Sequence, residues 1–299
     1  MLLLAAFIWG TAFVAQIMGM TYIGPFTFAA VRYVIGTFSI FIFTCVVDAL
    51  KKDSSPSNHN GKFQKTCGEW KDSLLGGSIC GCMLFIASSL QQTGLQYTQA
   101  GKAGFITSMY IVLIPIYRLF GGKRTNARAW FAIFMSVIGL YLLSVKSSSF
   151  TMQKGDFLVF AGAFFWAGQI LCCDIFTVNS DPLKLSCIQF ASTALMSIAA
   201  MLLFETPSMS AIIKSIYPLT YVGLFSTAIA FTLQMVGQKG NDPVNASLIF
   251  CLESIFAVLS GYLILKEILT MREIIGCAIL FLAIVTVQLP DRNTKSLKA

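Results

Sequence analysis

Apolar runs of about twenty residues recur along almost the whole chain, each closed by a short polar stretch. They fall at roughly 1–17, 26–48, 73–93, 102–121, 128–145, 156–176, 183–204, 214–236, 243–265 and 273–290. A run of about 20 residues matches the ~30 Å hydrocarbon core of a bilayer when helical, whereas a membrane strand needs only about 10 residues of alternating polarity. The pattern therefore predicts an all-α integral membrane protein with ten transmembrane helices. The one long connection, 51–72 ("KKDSSPSNHNGKFQKTCGEWKD"), is polar and is expected to be a mobile loop. Residues 291–299 read as a polar tail.

Composition agrees with the pattern. Of 299 residues, 56% are hydrophobic and 11% charged, against roughly a quarter charged in a soluble domain. The 21 Lys and Arg divide unevenly between the two sets of loops. With the N-terminus inside, 14 lie in inside loops or the tail, 6 outside, and Arg32 lies within a span. Basic residues favour the cytoplasmic side, so both termini are expected in the cytoplasm. The net charge of +8 is thus a topology signal. A nucleic-acid binder needs a basic patch on a soluble surface, and the pattern offers none. The opening "MLLLAAFIWGTAF" lacks the basic n-region and small-residue cleavage site of a signal peptide and reads as the first span. Its abrupt start leaves room for a few clipped residues.

Of the nine cysteines, Cys45, Cys80, Cys82, Cys172, Cys173, Cys187, Cys251 and Cys277 lie inside predicted spans, where they act as small apolar residues. The CxC of Cys80 and Cys82 has no companion ligand motif, so no metal or cofactor is expected. The single histidine, His59, falls in the 51–72 stretch.

The chain repeats itself. "AAFIWGTAFVAQ" (5–16) aligns with "GAFFWAGQILCC" (162–173) at an offset of 157, which puts Trp9 on Trp166 and Pro25 on Pro182. Further on, "LQQTGLQYTQAGKAGFI" (90–106) aligns with "LQMVGQKGNDPVNASLI" (233–249) at 143, which puts Gln91 on Gln234 and Tyr110 on Glu253. The drop of 14 locates an insertion in the first half, where the 51–72 stretch lies. Two copies of a five-span unit must cross the membrane in opposite senses. This predicts two inverted five-helix repeats, 1–146 and 154–290, able to rock about a central site. The quoted segments, with "PFTFAAVRY" and "QQTGLQYTQAGKAGFITSMYIVLIPIYRLFGGKRTNARAW", resemble the EamA family of the drug/metabolite transporter superfamily over nearly the whole chain. The resemblance implies two inverted five-helix bundles, cytoplasmic termini, a central cavity, and export of a metabolite, amino acid or toxic compound, in the setting of a bacterial plasma membrane.

Two charges lie within spans. Glu253 is ten residues from Pro243, about 15 Å along a helix and near the midplane. A charge there costs about 2.5–3.5 kcal/mol on insertion scales, so it must face a wet cavity, find a partner or stay protonated. It is a candidate for solute binding or proton coupling; the alternative is a neutral acid bonded to a neighbouring helix. Arg32 lies about 10 Å along its helix from Pro25. It is read either as the partner of a solute carboxylate or of Glu253, or as a snorkelled or structurally bonded arginine. Polar stripes complete the picture: Ser88, Gln92 and Gln96; Gln189, Thr193 and Ser197; Thr227, Gln234 and Gln238; Trp9 with Gln16; Trp166 with Cys173. They line a cavity or bond helix to helix. The candidate site is therefore Glu253, Arg32, Trp9, Gln92, Tyr110, Trp166, Gln189 and Gln234, with Pro115 as a candidate hinge.

The leading expectation is a secondary transporter for a small-molecule solute in the lipid bilayer, monomer or homodimer. An intramembrane enzyme would need paired aspartates in spans, HExxH or a Ser–His pair, and the sequence has none. A sensor or scaffold would add a soluble output domain, and the spans use the whole length. A channel does not need inverted halves.

Overall fold

The structure is a computed structural model and describes residues 1–53, 59–98, 100–144, 153–265 and 270–288. Every element among the described residues is helical: α1 (Leu2–Gly19), α2 (Pro25–Asp53), α3 (His59–Leu95), α4 (Ala100–Thr107), α5 (Tyr110–Phe120), α6 (Ala127–Ser144), α7 (Lys154–Thr177), α8 (Pro182–Phe204), α9 (Met209–Lys214), α10 (Ile216–Tyr221), a π-helix (Val222–Ala230), α11 (Phe231–Gln238), α12 (Pro243–Phe250), α13 (Leu252–Leu265) and α14 (Met271–Gln288). Eight helical stretches are long and apolar enough to cross a bilayer, and Ala127–Leu143 is a shorter apolar helix. α14 has a length of 18 residues and carries Glu273 in its first turn. Exposed Phe38, Ile42 and Phe43 on α2, Phe131 and Phe134 on α6, and Leu202 and Leu203 on α8 form apolar surface that water would not tolerate over this extent.

Local chemistry sets the helix ends. Proline opens α2, α8 and α12, where its missing N–H is no loss. Asp181 caps α8 and Asp242 caps α12 through their first backbone amides. In α7, Asp156 accepts from the Gln153 amide at 2.7 Å, closing a capping box.

Three expectations are corrected. The 51–72 stretch is mostly helix: α2 runs to Asp53 and α3 begins at His59. Its Lys, Gln and Glu residues are good helix formers, so polarity there ends the apolar span without ending the helix. The fourth and ninth spans are each broken, at Ser108–Met109 and at Cys251. Around these points the backbone tightens, with Met109 N bonding Ile106 O and Ser254 N bonding Cys251 O, both at 3.1 Å. Pro115 lies inside α5, past the break. The eighth span is built from α10, the π-helix and α11 in tandem. The tail 291–299 lies outside the described residues.

Packing crosses between the two halves of the chain. α3 packs on α7 and α8, α2 on α8 and the π-helix, α1 on α13, and α6 on α14. At the α6–α14 crossing a methyl on Gly139 would stand 2.9 Å from Gly276 O, and one on Gly276 2.7 Å from Gly139 O. Only glycine allows that backbone approach. α2 and α8 run antiparallel, since the start of α2 meets Glu205 just after α8, while Asp48 near the end of α2 meets Lys184 at the start of α8.

Candidate functional site

The broken spans converge on a partly open cavity lined by aromatic rings, polar side chains and two charged groups, with about 60 Å³ of interior free space. Trp9, Arg32, Tyr110, Trp166, Gln234 and Glu253 all line it. These are six of the eight residues that the sequence singled out.

Glu253 owes its place to the break at Cys251. The side chain stands in the first turn of α13, where amides lacking an intrahelical partner and the helix dipole favour a carboxylate. It is 6% exposed. Tyr110 opens α5 after the other break and donates its hydroxyl toward Glu253 Oε1 at 3.5 Å. Ser108 and Ser254, on either side, have their hydroxyls 3.4 Å apart. α1 presses against this corner through Gly10, where a methyl would lie 2.5 Å from Glu253 O and 2.6 Å from Phe256 Cβ.

Arg32 is 4% exposed, so it does not snorkel. Its Nη1 donates to Gln16 Oε1 at 3.3 Å and its Nη2 to Tyr33 OH at 2.6 Å. Its Nε is buried with no partner. Among the described residues no carboxylate lies within 4.0 Å of the guanidinium, so the Arg32–Glu253 pair considered from sequence is not formed. A buried guanidinium cannot shed its charge, and an anion that enters the cavity can offset it.

Aromatic rings line the same cavity. Trp9 meets Phe231 edge-on at 4.9 Å, and Trp166 stacks on the same ring at 6.0 Å. Each indole N–H is held across the halves: Trp9 Nε1 donates to Ser226 O at 3.3 Å, and Trp166 Nε1 to Gln91 Oε1 at 2.7 Å. Ser226 belongs to the π-helix, a backbone form found often at functional sites.

Two predicted residues lie elsewhere. Gln92 is buried outside the cavity and donates to Met20 Sδ at 3.4 Å. Its neighbour Gln91 lines the cavity instead. The repeat alignment, which pairs Gln91 with Gln234, carried that signal, while the i, i+4 stripe led to the wrong face. Gln189 sits one layer behind: Gln234 Nε2 donates to Gln169 Oε1 at 3.1 Å, and Gln169 Nε2 to Gln189 Oε1 at 3.3 Å. Gln169 was missed, although it follows Trp166 at helical spacing. Thr193, in the Gln189 stripe, donates to Gly81 O at 3.0 Å, so that stripe bonds helix to helix.

The family model for the EamA-like transporter family matches residues 1–145 and again 153–289. The chain belongs to that family. An uncharacterized transporter of Archaeoglobus fulgidus is 29% identical over 96% of this chain and 84% of its own. A WAT1-related chloroplastic protein of Arabidopsis thaliana is 24% identical, over 96% of this chain and 68% of its own. An uncharacterized transporter of Bacillus subtilis is 23% identical over 99% and 95%. A solved crystal structure aligns over 99% of this chain and 96% of its own with a TM-score of 0.73 at 18% identity, a likeness of fold. This EamA-like protein is a membrane transporter by family.

Proposed function

We propose that this EamA-like protein is a secondary transporter that exports a small polar organic solute, a metabolite, amino acid or drug-like compound, by alternating access around the central cavity. The observation that carries the reading is the cavity itself. A guanidinium without a counter-ion among the described residues and a carboxylate at a broken helix share one space walled by Trp9, Phe231 and Trp166. Discontinuous helices whose N-termini face a midplane site are a recurring device in secondary carriers. Arg32 receives an anionic group of the solute. Glu253, with Tyr110, receives a cationic or hydroxyl group, or a proton that couples transport.

Ten spans in two inverted repeats, 1–146 and 154–290, are part of this reading. Two stretches matching one family model support it. So does the reciprocity of the contacts: the third span packs on the sixth as the eighth packs on the first, and the third on the seventh as the second on the eighth. The excess of Lys and Arg on one set of loops supports cytoplasmic termini, and a bacterial plasma membrane is the setting proposed.

The test uses proteoliposomes and a panel of labelled solutes, under a proton gradient and without one. At least one solute is expected to move saturably, with Arg32→Gln losing affinity and Glu253→Gln losing the response to the gradient. Flux unchanged in both variants removes these residues from the mechanism.

A further inference from the structure

The repeat offset of 157 makes a further set of contacts coincide. It pairs Gly24 with Asp181, Pro25 with Pro182, Thr27 with Lys184, and Asp48 with Glu205. In the structure, Glu205 at the end of α8 grips the start of α2: its carboxylate accepts from Phe26 N and Thr27 N, both at 2.8 Å, and from Thr27 Oγ1. At the opposite end of the same helix pair, Asp48 grips Lys184, with Nζ 3.4 Å from Oδ2. The two contacts are each other's repeat equivalents, one at each end of the α2–α8 pair.

Their chemistry differs for a reason visible at the caps. α8 is capped within its own half, by Asp181. At the equivalent place before α2 stands Gly24, where a Cβ would fall 2.3–2.5 Å from the Glu205 carboxyl group. Glycine therefore clears the space, and Glu205 of the other half supplies the missing N-cap. At the other end the capped amides are already satisfied, and Asp48 instead meets a lysine that is 1% exposed. Between these ends the pair buries Ala29, Tyr33, Cys187, Phe190 and Ala194 together. By contrast, Arg118–Asp242, another ion pair joining the halves, has side chains 15% and 41% exposed, and water can replace its partners at little cost.

We propose that α2 and α8 form a clasped strut that stays closed at both ends through the transport cycle, so that the halves part elsewhere, as at Arg118–Asp242. Glu205, Asp48 and Lys184 are then positioning residues. They fix α2, and with it Arg32, against the second half. This rests on the carrier reading above.

The test needs no solute. Thr107, at the end of α4, lines the cavity, so Thr107→Cys places a thiol there in the full-length protein in vesicles. A membrane-impermeant maleimide is added to one face at a time and modification is read at that residue by mass spectrometry. A reversible bis-methanethiosulfonate bridge is then set at one end (Thr27→Cys with Glu205→Cys) or at the other (Asp48→Cys with Lys184→Cys). The strut predicts labelling of residue 107 from both faces with either bridge in place. Loss of labelling from one face, restored on reduction, overturns it and makes the contact a gate. Labelling from one face only in the unbridged protein overturns the carrier reading, and the strut with it. A second variant separates tie from cap: Gly24→Asp with Glu205→Ala restores a local cap without the link between halves. It is expected to fold and to label about tenfold faster from the face at which Gly24 and Glu205 lie, the factor that matches loss of a charge-assisted hydrogen bond. Labelling identical to the parent makes Glu205 a cap alone and overturns the proposal.

Discussion

Gly10→Ala tests how α1 is seated against the broken ninth span. The added methyl would stand 2.5 Å from Glu253 O, 2.6 Å from Phe256 Cβ and 2.8 Å from Ala257 N. Ordinary contact begins near 3.4 Å, so α1 must retreat by about 0.9 Å, and two of the three obstacles are backbone atoms that cannot rotate aside. Overpacking of this kind costs about 1–3 kcal/mol, offset by up to ~1 kcal/mol because alanine is the better helix former. The same substitution at Gly104, on α4 near the same corner, meets nothing closer than Ser254 Oγ at 3.9 Å. Unfolding in mixed micelles should therefore show Gly10→Ala less stable than Gly104→Ala by about 1–3 kcal/mol, since the gain in helix propensity is common to both. Retreat of α1 also draws Trp9 from Phe231, so solute affinity should fall in Gly10→Ala alone. Equal stabilities, or the reverse order, would refute the seating of α1 on Glu253.

Gln91→Leu should weaken solute binding about 2–10-fold, the worth of one neutral hydrogen bond, read as a rise in KM for flux, while Gln92→Leu leaves KM unchanged. The opposite pattern would mean that the third span is turned by one residue. Asp48→Ala should cost more unfolding free energy than Arg118→Ala, which should cost at most ~1 kcal/mol, because Lys184 is 1% exposed whereas both side chains of Arg118–Asp242 are more open to solvent; similar losses in both would contradict the difference in burial.

Much of the fold was legible because run length and bilayer thickness leave few options, and because Trp9 and Trp166 repeat with their surroundings. The breaks at Ser108–Met109 and Cys251 were not. No proline or glycine stands at either, and the proline that drew attention, Pro115, sits inside α5. The helical character of 59–72 was hidden because hydropathy reports where a span ends and says little of where a helix ends. At the site, charge and repeat proved better guides than stripes. Glu253, Arg32, Tyr110 and Gln234 line the cavity, but Gln92 and Gln189 do not. An i, i+4 stripe fixes a face of one helix and cannot say which neighbour that face meets. The α2–α8 clasp was written in the same alignment, since Asp48 and Glu205 share the offset of the two prolines, yet both fall at span ends where acidic residues attract no notice.

The central claim is one cavity that opens to each side of the membrane in turn. It is tested most directly by modifying Thr107→Cys with an impermeant maleimide from each face separately, in vesicles loaded with a trapped dye. The account predicts modification from both faces while the dye stays inside. Modification from a single face, or from both with release of the dye, would contradict it.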